Sequence, residues 1–214
     1  MPRAIIFDLD GTLVESLPGI AASLNLALSH HRLPTHDHAA VRSFIGDGAQ
    51  MLVQRAVPET TPEETRASIL KCFAEDYAVS WPTGTSIYPG IQELLADLSS
   101  KNIPLAVLSN KPHPFTVEIV EKLFPENTFA ATLGNREGLA HKPDPTGALE
   151  IASSLNLPPQ QCTVIGDSTM DLDTAKNAGM QSIAVTWGYH DRERLAAADA
   201  IVDDVAELEA SLVR

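Results

Sequence analysis

Residues 5–16 read IIFDLDGTLVES. Apolar residues run straight into Asp8 and Asp10, spaced by one, and the chain turns at once through Gly11 and Thr12. A short, uninterrupted apolar run suits a strand covered on both faces. Ending such a strand on two aspartates sets a physical problem. Like charges this close repel, and burial makes each carboxylate costlier. Either one of them is protonated or a cation lies between them. Residues two apart in extended backbone point to the same side, so both carboxylates face one place.

The same texture recurs along the chain. RAIIFDL (3–9), IPLAVLSN (103–110), FAATLG (129–134), CTVIGD (162–167) and QSIAVTW (181–187) read as strands, with DAIVDD (199–204) as one more at an edge. Between them, segments 90–101, 115–124, 145–156 and 171–179 show helical spacing, and 204–213 closes the chain as a helix. The alternation predicts an α/β fold with a doubly wound parallel sheet in three layers, whose ligands bind at the carboxyl ends of the strands. One interval breaks the rhythm. From Glu15 to Trp81 only helical patterns appear, at 19–31, 47–57 and 62–79. That is far too long for a strand-to-strand crossover. The expected organisation is a core of residues 1–14 and 82–214 with a helical insert, 15–81, that leaves after the first strand. WPTGTSIYPG (81–90) is the linker through which the chain returns.

Composition narrows the function. The chain has 214 residues, 44% hydrophobic and 20% charged, as in an ordinary globular protein. A net charge of −13 argues against a nucleic-acid partner, and no apolar run is long enough to span a bilayer. The N-terminus does not read as a signal peptide. Cys72 and Cys162 lie far apart without metal-ligand spacing and read as reduced, buried residues of a cytoplasmic protein. HHRLPTHDH (30–38) reads as a polar turn rather than a zinc site, and His141 and His190 as surface histidines.

Four polar clusters fall at predicted strand ends: Asp8 with Asp10, Ser109 with Asn110, Lys142 within HKPDP, and Asp167 with Asp171 in GDSTMD. Oxygen ligands without His or Cys suit a hard cation, and Mg²⁺ is the natural choice. Its charge would screen the carboxylates and draw in a phosphate that an acidic protein otherwise repels. Lys142 supplies a point charge for nucleophile and phosphate, and Ser109 a hydroxyl donor. An ionised carboxylate can attack phosphorus, and a second carboxyl can protonate the leaving alcohol. Asp8 is assigned as the nucleophile and Asp10 as the acid/base.

DLDGTLVES, LSNKP, HKPDP and IGDSTMDLDTAKNAG, in that order, resemble the four motifs of the haloacid dehalogenase superfamily, over essentially the whole chain. YPGIQELLADL, GDGAQMLVQRAV and VTWGY further resemble its phosphoglycolate phosphatase branch. The resemblance implies a Rossmann-like core, a helical cap, Mg²⁺ dependence and hydrolysis through an aspartyl-phosphate. It implies metal binding at Asp8, Asp167 and the backbone carbonyl of Asp10, with Asp171 supporting the metal site. It places Ser109 and Lys142 on the phosphate, with Asn110 assisting. Ile45, Gly46 and Gly48 become substrate-selecting positions of the cap, and Arg42 a candidate for a substrate carboxylate. Glu15 stands where the family usually has aspartate and Ser109 where the branch often has threonine; neither change touches the chemistry. The expected activity is hydrolysis of a small phosphorylated metabolite, 2-phosphoglycolate first, by a monomer or homodimer. Alternatives are a nucleotide, sugar-phosphate or pyrophosphate phosphatase, a β-phosphoglucomutase-like mutase, or, in another class, a phospho-accepting or non-catalytic binding module.

Overall fold

The structure is a computed structural model that describes residues 2–212. The chain forms two compact units, one made of the segment up to Val14 together with the chain from Ile87 onward, the other of Glu15–Ser86. In chain order the elements are β1 (Ala4–Phe7), β2 (Val14–Glu15), α1 (Leu17–His30), α2 (His38–Phe44), α3 (Gly48–Ala56), α4 (Glu63–Ser80), β3 (Ser86–Ile87) and α5 (Ile91–Ser100). They continue with β4 (Leu105–Pro112), α6 (His113–Leu123), β5 (Ala131–Asn135), α7 (Thr146–Ser154), β6 (Cys162–Gly166), α8 (Thr169–Ala178), β7 (Gln181–Val185), β8 (Ala200–Val202) and α9 (Val205–Leu212). The closing helix expected over 204–213 ends, within the described residues, at Leu212.

The larger unit is built on a six-stranded sheet in the order β5-β4-β1-β6-β7-β8, and each neighbouring pair is parallel. All four residues of β1 are wholly excluded from solvent, as expected of a central strand with helices on both faces. Ala4 and Ile6 point to the face where Ala148, Ile151 and Ala152 of α7 and Ala175 and Ala178 of α8 pack, with Leu108 and Val164 from the flanking strands. Strand alternation sends Ile5 and Phe7 to the opposite face. The chain runs outward from β1 through β4 to β5, then returns to β6 on the other side of β1. The strand order therefore reverses beside β1, and a doubly wound sheet opens a crevice at the carboxyl ends there. Helix α8 begins two residues earlier than its periodicity suggests, because Ser168 and Asp171 close a capping box at its start.

The helical unit packs α1 against α4 and α2 against both α1 and α3. Ser23, fully buried on α1, donates to Asp76 Oδ2 of α4 at 2.6 Å. The stretch between α1 and α2 is a turn held by Asn25, which donates to the His36 carbonyl and accepts from its N–H, both at 2.8 Å. Helix α2 has no counterpart in the sequence reading; Asp37 caps it by accepting from Ala40 N–H at 2.8 Å. Arg42 lies on α2 and Ile45 ends it, while Gly46 and Gly48, with φ of +126° and +84°, lead into α3. Arg55 on α3 pins this bend by donating to the Phe44 carbonyl at 3.0 Å and pairing with Asp47. The chain passes between the units through β2 and β3, which pair as a two-stranded ribbon. Both cysteines are free thiols; Cys162 is buried as expected, but Cys72 is only half-buried, because α4 is a surface helix at that position.

Candidate active site

Because β1 lies between β4 and β6, the ends of these three strands are adjacent, and residues more than a hundred positions apart meet there. Lys142, in the loop before α7, occupies the centre. Its ammonium has three protons and finds three acceptors: Asp171 Oδ1 at 2.7 Å, Asp8 Oδ1 at 2.8 Å and the Leu108 carbonyl at 3.1 Å. Burial works against this ammonium, but Asp171 and Asp8 outweigh it and hold its pKa above the ordinary lysine range. Asn110 holds the Lys142 backbone from β4, accepting from its N–H at 2.8 Å and donating to its carbonyl at 3.2 Å. Both ends of the Asn110 carboxamide thus serve to place Lys142.

Asp8 accepts from Leu9 N–H at 2.7 Å on the same oxygen that meets Lys142, which turns its other oxygen outward from these donors. Burial pushes the Asp8 carboxyl up to about 7; Lys142 pulls it down, and Asp171 and Asp10 push it further up. Asp167 follows β6 and precedes the first turn of α8, so it stands off the helix that carries Asp171. Its oxygens accept from Thr12 Oγ1 at 3.2 Å and from Tyr189 N–H at 2.7 Å. Burial, reinforced by Asp8 and Asp171, raises its pKa well above the usual carboxylate range. Gly11, at φ +86°, lets the turn after β1 pass directly against Asp167, where a Cβ would collide with the carboxylate. Asp171 Oδ2 accepts from Ser168 Oγ at 2.6 Å and Ser168 N–H at 3.1 Å, so its two oxygens join the start of α8 to Lys142.

Sequence reasoning missed Lys111, Thr12, Ser168 and the Tyr189 N–H. Lys111 is the most consequential: buried at the end of β4, it reaches both oxygens of Asp10, at 3.1 and 3.0 Å. The available signal was its place, directly after Ser109-Asn110 at the end of an apolar strand. Ser109 is buried and its Oγ accepts from Lys111 N–H at 3.2 Å. Trp187 ties the loop after β7 to this edge by donating to the Thr12 carbonyl at 3.1 Å. His190 is buried rather than on the surface, because its Nδ1 faces the start of α8 and accepts from Thr169 N–H at 3.3 Å; His141 is exposed. Arg42, Ile45, Gly46 and Gly48 stand in the helical unit described above.

The donors fit a hard divalent cation. Among the described residues, Asp8, Asp167 and Asp171 form a buried group whose carboxylate oxygens all lie within 4.8 Å of one another. Oxygen ligands of this kind suit Mg²⁺-type ions and not the softer metals. The four carboxylates, Asp10 included, meet two ammoniums, Lys111 and Lys142, which leaves two negative charges in excess. Burial is the main cause of the raised pKa values of Asp8 and Asp167, and the neighbouring carboxylates add to it; a doubly charged ion would offset both the burial cost and the excess charge.

A parallel sheet whose strand order reverses beside an acid–lysine cluster is the arrangement expected of a hydrolase of the haloacid dehalogenase-like class. Residues 5–185 match that family, described as haloacid dehalogenase-like hydrolase, and the chain belongs to it. A phosphoglycolate phosphatase of Escherichia coli (strain K12) is 33% identical over 228 aligned positions, covering 96% of this chain and 90% of that protein. The crystal structure of a predicted phosphoglycolate phosphatase from Haemophilus somnus 129pt superposes with a TM-score of 0.92 at 31% identity, covering 99% of this chain and 98% of that one. A Lactobacillus delbrueckii subsp. bulgaricus protein with the same provisional designation gives 0.94 at 31% identity, with 99% of each chain covered.

Proposed function

We propose that this protein is a Mg²⁺-dependent phosphatase that hydrolyses 2-phosphoglycolate through an aspartyl-phosphate on Asp8. The observation that carries the reading is the Lys142 ammonium held between Asp8 and Asp171 beside the buried Asp167 carboxylate. Asp8 is the nucleophile: one oxygen is fixed by Leu9 N–H and Lys142, which orients the other toward phosphorus. Lys142 neutralises charge as the phosphoryl group arrives, and Asn110 keeps it in place. Ser109 presents its hydroxyl to the phosphate. Asp10 gives a proton to the departing ester oxygen and later takes one from the attacking water. Asp8, Asp167 and the Asp10 carbonyl would hold Mg²⁺, with Asp171 supporting them through Lys142 and the start of α8. When bound, the ion supplies positive charge for the phosphate oxygens and for the carboxylates around them.

The choice of substrate rests on the relatives named phosphoglycolate phosphatase. Arg42, Ile45, Gly46 and Gly48 are kept as substrate-selecting positions on the family resemblance alone, with the helical unit in the role of a cap. Two free thiols favour a reducing, cytoplasmic setting. Phosphate release measured across a panel of small phosphate esters with Mg²⁺ present tests the reading. The highest kcat/KM should fall on 2-phosphoglycolate, and EDTA should abolish turnover. A preference for nucleotides, sugar phosphates or pyrophosphate would remove the substrate assignment, and no hydrolysis of any ester would remove the activity.

A further inference from the structure

Lys111 is buried beside an aspartate and has no part in the chemistry set out above. Its ammonium lies 3.1 and 3.0 Å from the two oxygens of Asp10, and the side chains are 7% and 13% exposed. The backbone that delivers it is fixed from several directions. Its N–H donates to Ser109 Oγ at 3.2 Å, and its carbonyl accepts from Thr116 Oγ1 at 3.1 Å. Gly134 on β5 passes so close that a Cβ there would lie 2.7 Å from that carbonyl. The β4–β5 register is irregular between Leu108 and Pro112, where this turn of backbone sits.

A buried ion pair adds little net stability over a well-packed apolar pair, so energy alone does not explain this one. Its geometry does more. One cation meeting both oxygens restrains rotation of the carboxyl group about its last bond, which a contact to a single oxygen does not.

We infer that Lys111 is a positioning residue that holds the Asp10 carboxyl group in the orientation from which it serves the ester oxygen. The inference rests on the role proposed for Asp10. In that step an Asp8 oxygen forms a bond to phosphorus and the ester P–O bond breaks. The electron pair stays on the ester oxygen, and the Asp10 proton passes to it. The alcohol leaves neutral, and the Asp10 carboxylate left behind is the group that Lys111 grips.

The test compares kcat/KM for 2-phosphoglycolate, whose alkoxide must be protonated, with that for acetyl phosphate, which expels a carboxylate and needs no proton. Lys111→Met and Lys111→Gln should each lower the ratio of the two values by about tenfold or more, part of the range that general acids supply. Lys111→Arg, which keeps a cation able to face both oxygens, should stay within about threefold of wild type on the same scale. Both values come from one preparation, so the ratio does not depend on how much of a variant folds. Equal losses on the two substrates, a rise in KM alone or no loss would overturn the inference. Asp10→Asn must move the ratio in the same direction. An unchanged ratio in that variant would sink the role of Asp10 itself, whatever Lys111 does.

Discussion

Replacing Asp8 by asparagine should change how the stability of the metal-free protein depends on pH. In the folded state the Asp8 carboxyl is raised from 3.8 to about 7, chiefly because it is buried. Between those two values the folded protein keeps a proton that the unfolded chain has released. Stability from this group is therefore complete below pH 3.8, falls as pH rises and is gone above about pH 7. A separation of roughly 3 pKa units corresponds to a loss on the order of 4 kcal/mol across that window. A carboxamide at this position cannot titrate and carries no such pH dependence. Urea unfolding in EDTA, run at intervals from pH 4 to pH 8 on both proteins, reads the difference directly. The wild-type advantage over the variant should shrink steadily as pH rises, and a divalent cation added at pH 8 should restore stability to the wild type far more than to the variant. A gap that stays constant from pH 4 to pH 8, or widens with pH, would refute the reasoning.

Three further outcomes follow from the same geometry. Lys142→Met leaves Asp8 and Asp171 buried without their shared cation and should cost about 3–5 kcal/mol in chemical unfolding near neutral pH. Gly11→Ala places a Cβ on the Asp167 carboxylate at a φ that L-residues avoid, so calorimetry should register both a lower Tm and weakened Mg²⁺ binding. Asp10→Asn should reduce turnover of 2-phosphoglycolate by about 10²–10⁴-fold, the scale of a lost general acid, while leaving Mg²⁺ binding largely intact in the same titration.

Much of the sheet is legible because its strands are short, continuously apolar runs that end in polar residues, a pattern that burial on both faces imposes. The convergence of Asp8, Lys142, Asp167 and Asp171 also follows from sequence, since parallel topology gathers strand ends on one edge. What escapes is non-local pairing. Asp10 and Lys111 are 101 positions apart, and no spacing rule links them. Likewise the Tyr189 N–H meets Asp167 through backbone geometry that side-chain motifs do not encode. Helical spacing places the start of α8 at 171, two residues late, because the capping box of Ser168 and Asp171 that opens the helix leaves no mark on apolar periodicity. The Ser168 cap also sets Asp167 outside the helix. Helix α2 hides behind its short length and the histidine-rich turn before it.

The most direct measurement is acid quenching during steady turnover of 2-phosphoglycolate with Mg²⁺, followed by mass spectrometry of the digested protein. A phosphoryl group should be found on Asp8 and be absent from the Asp8→Asn variant. Phosphoryl label on any other residue, or none while substrate is being consumed, would contradict the account.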